Sequence, residues 1–296
     1  MGGKLSSHLR EFRNLVVGSL TASRNMHNEV DHLLKTCAHA DRTYERLTGK
    51  PLEGVTALEI GPGQMLAQML YFGAKNNVEG IDLDVIANGF NPIPYLKVLK
   101  TNGPKRLAKT VARKVLGQDR AFRKEFARRM GRKVRLPRVR QMDATRMDYP
   151  DNHFDLVYSF SVFEHLPDPK AVLRDMIRVL KPGGVAYTNL HLFTSDSGCH
   201  DIRIIINNRA NIAYWPHLRP AHEHEYQAFA YLNKIRLEPW REIFNSVMPG
   251  SEFDSERDEN LRPELEKIRA GGELADYSDD ELLTRNFIAA WRKPLV

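Results

Sequence analysis

Along the middle of this chain, short apolar runs that end in glycine or acid alternate with stretches of helical spacing. "GVTALEIG" predicts a buried strand with a glycine exit, "MLAQMLYFGAK" a helix, and "NVEGIDLD" a second strand ending in acids. "RVRQMDAT" and "HFDLVYSFSV" predict a third and a fourth strand. "DPKAVLRDMIRVLKPGG" predicts a helix entered through Asp168 and Pro169 and closed by glycines, and "GVAYTNLHL" a fifth strand. Strands alternating with helices argue an α/β fold, a doubly wound and mainly parallel sheet with helices on both faces. After Thr194 the alternation stops for roughly forty residues rich in His, Asn and aromatics. "PWREIFNSVM" then predicts a helix, "SEFDSE" a strand, "DYSDDELLTRN" a capped helix or turn, and "FIAAWRK" a last strand. Ahead of the first strand, Leu5 to Leu47 has helical spacing for two or three helices, stopped near Gly49 and Pro51. The expected division is an N-terminal helical segment, 1–50, and a main domain, 51–296.

Charge adds an insertion to this picture. The chain of 296 residues carries a net +7, yet Lys97 to Arg140 holds 17 Lys or Arg against Asp119 and Glu125, leaving −8 for the remainder. An acidic body with one basic insert, 91–138, is expected, its apolar positions at helical spacing and a break near Gly117 between two helices. No run of eighteen apolar residues occurs, and the first residues lack a long apolar stretch, so neither a membrane-spanning helix nor a secretory leader is expected. "MGGKLSS" fits the loose N-myristoylation pattern and is read as chance. Cys37 and Cys199 give neither a disulfide framework nor a metal-ligand spacing. A reducing, cytoplasmic setting is the expectation, with peripheral contact to a membrane left open.

"ALEIGPGQM" carries the first candidate chemistry. In open parallel sheets ligands bind beyond the carboxyl ends of the strands, where the topology switches. Gly61 and Gly63 let a ligand approach bare backbone, and a helix starting near Leu66 offers its first amides to a carboxylate. Asp82 lies 21 residues after Gly61, at the end of the next strand, where an acid takes both hydroxyls of a ribose. Asp143 ends the third strand, within reach of an adenine amino group. Each acid alone could equally be a cap or a solvated strand end; three ligand-compatible strand ends in order, the glycine turn included, point to a nucleoside-containing ligand.

These residues resemble the class I S-adenosylmethionine-dependent methyltransferases. "LEIGPGQ" is similar to that family's first motif and "EGIDLD" to its second. "MDATRMDYPDNHFDLVYSFSVFEHLPDP" resembles the third and fourth, and "VLKPGG" the approach to the fifth strand. "ELLTRNFIAAWRKP" resembles the family's last strand. The resemblance implies a Rossmann-like methyltransferase fold with an antiparallel last strand, and S-adenosyl-L-methionine as cofactor. It implies that Glu59, Gly61 and Gly63 hold the cofactor's methionine end, that Asp82 binds the ribose, that Asp143 and Ala144 flank the adenine, and that Phe160 contacts the methionine moiety. Met65 stands where many members have a third glycine. A dinucleotide-binding reductase fits less well, because G-x-G-x-x-G would need glycine at Leu66.

Methyl transfer from a sulfonium needs nucleophile and methyl held in line, and a hydroxyl acceptor must also lose its proton, a task suited to histidine. His165 follows the fourth predicted strand, His191 lies at the end of the fifth, and His200, in "SDSGCHD" beside Asp201 in the loop after it, is the preferred base. For His165 the plainer reading is a brace for the following helix. "HEHE", with His222 and His224, reads as a solvated stretch, because i and i+2 do not share a helix face, and no metal site is assigned. The segment 195–238 is expected to cover the acceptor side, with Tyr214, Trp215, His217, Arg219, Tyr226 and Tyr231 either shaping a pocket or forming an ordinary packed cover. The basic insert is read first as a lid meeting an anionic acceptor such as a nucleotide- or lipid-linked sugar, then as a plain lid, and third as an RNA surface, having few aromatics beyond Phe122 and Phe126. The expected function is O-methylation of a small molecule or glycan. The alternatives are a nucleic-acid or lipid methyltransferase and a non-catalytic cofactor-binding scaffold.

Overall fold

The computed structural model describes residues 26–86, 95–100, 103, 107, 110–111, 117–206, 208–209 and 211–295. The first 25 residues and most of the first predicted helix of the basic insert lie outside them. One helix, α1 (26–48), leads into β1 (Thr56–Ile60), α2 (Ala67–Phe72) and β2 (Asn77–Asp82). After the insert's described helix, α3 (Gln118–Met130), come β3 (Arg138–Gln141) and β4 (Phe154–Phe160). Then follow α4 (Pro169–Val179), β5 (Leu180–His191), a single turn α5 (Ile202–Ile205) and α6 (Leu237–Val247). The chain closes with β6 (Glu252–Arg257), α7 (Arg262–Ala270), α8 (Asp279–Leu283) and β7 (Thr284–Arg292).

The seven strands form one sheet in the order β3-β2-β1-β4-β5-β7-β6. β1 to β5 run parallel, and β7 runs antiparallel to both β5 and β6. The order reverses between β1 and β4, which makes the carboxyl end of those two strands the place where an open sheet leaves a crevice. Alternation along β1 sends Leu58 and Ile60 to the core under α4 and α6, with Val172, Met176, Trp240 and Phe244. Ala57 faces the other core, where Val30, Leu33, Cys37 and Tyr44 of α1 meet Met69 and Leu70 of α2. Phe122 and Phe126 of the basic insert are buried in that same core, so its few aromatics pack the fold. Part of the insert's charge is also spent internally: Glu125 accepts from Arg128 and pairs with His27 at 2.9 Å, and Arg129 pairs with Asp31 of α1.

Two local readings change. The helix predicted to run to "KPGG" ends at Val179, and Leu180 to Gly184 already belong to β5. Pro182 explains this, since the residue before a proline is pushed out of the helical region. Asp168 caps α4 as expected, accepting from the Ala171 amide at 3.0 Å. α2 is also shorter than predicted, six residues behind Leu66, whose left-handed φ of 56° stops the helix from starting earlier.

Candidate active site

The glycine loop leaves β1 toward the crevice. The Gly61 amide continues the ladder by donating to the Ile81 carbonyl at 2.8 Å. Gly61 has φ +69°, and a Cβ there would lie 2.4 Å from Cγ2 of Val162, the second residue after β4. Gly63 has φ +60°, and a Cβ there would meet nothing within 4 Å. The first glycine therefore allows two chain segments to touch, and the second turns bare backbone toward open space. Asp82 braces the loop: one carboxylate oxygen accepts from the Gly63 amide at 3.3 Å, the other from the Asp84 amide at 2.8 Å.

Glu59, 1% exposed, lies on the face of β1 turned toward Tyr158 and Cys37. Burial pushes its carboxyl up to about 8; the Tyr158 hydroxyl offsets this in part and the Asp82 charge adds to it. Its Oε2 is buried and has no hydrogen-bond partner among the described residues. A buried acceptor without a donor, beside backbone that faces open space, fits the ammonium and carboxylate of an amino-acid ligand. Asp143, two residues past β3, closes an Asx turn by accepting from the Thr145 amide and hydroxyl at 2.8 and 2.9 Å, and Ala144 is buried beside it. The Phe160 ring lies with Phe72, Tyr158 and Tyr187, 5.5 to 6.4 Å between centroids.

Across the crevice the structure brings His165, His191 and His200 together. The His200 ring is 4.9 Å from that of His165 and 4.8 Å from that of His191. Sheet register and one tight loop do this. β5 sets His191 at the end of its pairing with β7, and the chain then doubles back through Ser195 to Cys199. Gly198 permits the doubling, since a Cβ there would lie 2.2 Å from the Phe193 carbonyl. His200 comes next but one, with φ +53°, and is 4% exposed. Ser161, directly after β4, and Leu66 and His200, in the loops that follow β1 and β5, have left-handed backbone without being glycine, as do Asn152, Trp215, Lys234 and Leu274 elsewhere.

Glu164, in the 3-10 turn Phe163–His165, completes the cluster, and nothing in the sequence around it signals that place. Its Oε1 lies 3.9 Å from His200 Nε2 and accepts from the His191 amide at 3.3 Å. The acid near His200 is thus Glu164, whereas Asp201 is engaged by Arg203 and by the Gln227 amide. Burial pushes Glu164 up to about 8 and His200 down to about 4, and holds His191 well below its ordinary value. His165 Nδ1 donates to the Tyr231 carbonyl at 2.7 Å, which ties the turn to the cover. His191 Nε2 pairs with the Ser197 hydroxyl at 2.9 Å. Both nitrogens of His200 are buried without a hydrogen-bond partner among the described residues.

In the cover, Trp215 is fully buried with Leu265, Leu282 and Leu283, and Tyr214 lies under Arg209, whose guanidinium carbon is 4.0 Å from the ring centroid. His222 pairs with Glu225 at 2.7 Å within a 3-10 helix. Phe229 and Tyr231 are exposed, and the Phe229 ring is 5.6 Å from that of His200.

Residues 101–188 match the family described as "Methyltransferase domain". The chain is 25% identical over 132 residues to the ubiquinone/menaquinone biosynthesis C-methyltransferase UbiE of Shewanella woodyi, covering 44% of this chain and 51% of that one. It is 29% identical over 115 residues to UbiE of Pseudomonas syringae pv. tomato, covering 38% and 43%. The family match and these relatives support a class I S-adenosylmethionine-dependent methyltransferase. The chain spans about half the length of the curated relatives it matches. Among solved structures it is similar to a phosphoethanolamine N-methyltransferase 2 of Haemonchus contortus in complex with S-adenosyl-L-methionine, at 17% identity and TM-score 0.42 over 84% of this chain and 51% of that one. It is also similar to an S-adenosylmethionine-dependent methyltransferase of Methanosarcina mazei, at 16% identity and TM-score 0.43 over 82% and 94%. The strand order and the antiparallel β7 are those expected of a Rossmann-like methyltransferase, and the family match supports S-adenosylmethionine as cofactor.

Proposed function

We propose that this protein transfers a methyl group to an oxygen of a small molecule or sugar-containing acceptor, with His200 taking the acceptor's proton. The observation that carries the reading is the convergence of Glu164, His165, His191 and His200 across the crevice from the glycine loop. When bound, the cofactor supplies a methyl already activated by its positive sulfur. Glu59, Gly61, Gly63 and Phe160 are assigned to its methionine end, Asp82 to the ribose, and Asp143 with Ala144 to the adenine. Val162, against Gly61, links that cradle to Glu164 two residues on. A neutral, unpartnered imidazole is the form a general base needs, and removing a proton from a hydroxyl is the demand that separates oxygen acceptors from amines and thiols. UbiE and the phosphoethanolamine enzyme act at carbon and nitrogen by their names, so the choice of oxygen rests on the histidines alone. Two buried free cysteines, Cys37 and Cys199, are in keeping with a cytoplasmic setting.

A second reading, a nucleic-acid or lipid methyltransferase, draws on a cavity of about 790 Å³ lined by Arg120, Arg123, Lys124, Arg132 and Lys133. Binding of RNA or anionic vesicles that falls steeply with salt would favour it.

The test is calorimetric titration with S-adenosylhomocysteine, followed by mass detection of methylated products from hydroxyl-bearing acceptors. His200→Ala is expected to lower kcat by roughly 10²–10⁴ with cofactor affinity unchanged. A fully active variant ends the base role, and absence of heat from a folded protein ends the methyltransferase reading.

A further inference from the structure

The same pocket has the composition of a metal centre. Among the described residues, Glu164, His165 and His200 can each offer one ligand atom, and those atoms all lie within 4.8 Å of one another. Glu164 Oε1 and His200 Nε2 are 3.9 Å apart. Ligands about 2.0–2.2 Å from a common ion stand roughly 3–4 Å from each other, so the three need only a small contraction to share one.

Three further features point to a ligand. Glu164 Oε2 and both nitrogens of His200 are buried with no hydrogen-bond partner among the described residues, although buried polar atoms are nearly always paired. His165 donates through Nδ1 to the Tyr231 carbonyl, which leaves the lone pair of Nε2 free, the outer-shell arrangement common to metal-binding histidines. The His191 amide steadies Glu164 Oε1 from the opposite side. A water could satisfy one of these atoms, but it does not explain why two imidazoles and a carboxylate converge.

We propose that Glu164, His165 and His200 bind one divalent first-row transition ion, such as Zn²⁺, Mn²⁺, Fe²⁺ or Co²⁺, on the acceptor side of the crevice. Two imidazoles with one carboxylate favour these ions over Mg²⁺ and Ca²⁺, which prefer oxygen shells. Three protein ligands leave coordination positions for an acceptor oxygen, whose hydroxyl the ion would acidify. In the ion-loaded chain His200 is then a ligand, and its role as base belongs to the ion-free chain. The ion's role rests on the methyltransferase reading; its binding does not.

The experiment is calorimetry of the full chain, stripped of metal by a chelator, with ZnCl₂, MnCl₂ and CoCl₂, together with visible absorption of the Co²⁺ form. One ion per chain is expected. Glu164→Gln, His165→Ala and His200→Ala should each weaken binding by roughly 100-fold or more, while His222→Ala leaves it unchanged. Each variant's affinity for S-adenosylhomocysteine, within about twofold of the parent, reports that the fold survives. A folded chain that binds S-adenosylhomocysteine but no stoichiometric ion overturns the metal centre and spares the methyltransferase reading. Ion binding unaffected by both Glu164→Gln and His200→Ala overturns it as well. Ion binding without any S-adenosylhomocysteine binding upholds the centre and counts against the methyltransferase reading.

Discussion

Gly61 and Gly63 stand two residues apart, and a methyl group added to each is expected to do different damage. At Gly61 the new Cβ would lie 2.4 Å from Val162 Cγ2 and 3.2 Å from Cγ1, and valine is stiff at χ1. The left-handed backbone adds about 1–2 kcal/mol. Overpacking adds about 1–3 kcal/mol, so Gly61→Ala should cost roughly 2–5 kcal/mol in total. At Gly63 only the backbone contribution applies, about 1–2 kcal/mol, because nothing lies within 4 Å of the new methyl. Urea unfolding of both variants, of Val162→Ala and of Gly61→Ala/Val162→Ala measures these values. The double variant should recover the overpacking part, a coupling of about 1–3 kcal/mol. Binding should rank the other way: Gly63→Ala puts its methyl into the space left for the ligand and should weaken S-adenosylhomocysteine by roughly tenfold or more, about 1.4 kcal/mol. Strict additivity of the Gly61 and Val162 changes would refute the contact argument. Unchanged affinity in a Gly63→Ala protein would refute the cradle.

Three further outcomes are expected. Asp82→Ala removes the acceptor of the Gly63 and Asp84 amides, so it should cost about 1–3 kcal/mol in urea unfolding as well as weakening cofactor binding at least tenfold, whereas a loss of affinity alone would mean that the brace contributes nothing. Glu59 keeps its proton up to about pH 8 in the folded chain but only to about 4.5 when unfolded, so the folded state binds the extra proton in that window and stability falls as pH rises through it; Glu59→Gln should flatten the slope by up to roughly 4 kcal/mol between pH 5 and 8, and an unchanged slope would reject the buried-acid account. Asp168→Ala should cost about 1 kcal/mol through loss of the α4 cap without touching cofactor affinity, checked by the same two assays.

Sequence pattern alone placed β1, β2, β4 and β5, the glycine loop and the acids at Asp82 and Asp143, because each depends on local periodicity and on the residue types at a strand's exit. It failed where burial is sparse or where backbone is decided by a neighbour. α7 buries Leu265 alone, so its sequence "RPELEKIRA" carries no apolar stripe to read. The left-handed turn at Leu66 has no glycine to announce it. Glu164, in "FEHLP", has no local pattern that announces its burial. Its burial comes from a loop more than thirty residues later, folded back over the end of β5 through Gly198. The histidines could be named one by one, but their meeting is a property of sheet order. Asp201 adjoins His200 in sequence, which does not establish a contact, and the acid that the fold brings near His200 is Glu164.

Glu59 Oε2, Ser159 Oγ, Glu164 Oε2 and both nitrogens of His200 are buried without hydrogen-bond partners among the described residues, and all belong to the ends of β1, β4 and β5 or the segments just beyond them. In the cover, Thr194 donates to the Glu281 carbonyl and Asp196 accepts from the Trp215 amide, while Trp215 Nε1 and His217 Nδ1 are buried without a partner among the described residues. Each such buried unpaired atom costs about 1–3 kcal/mol. Violations of otherwise consistent local rules fall at sites where a ligand supplies what the protein withholds. The crevice therefore divides by chemistry: an acid beneath the glycine loop fitted to a cationic amino group, and neutral imidazoles with a carboxyl opposite, fitted to a proton or to an ion.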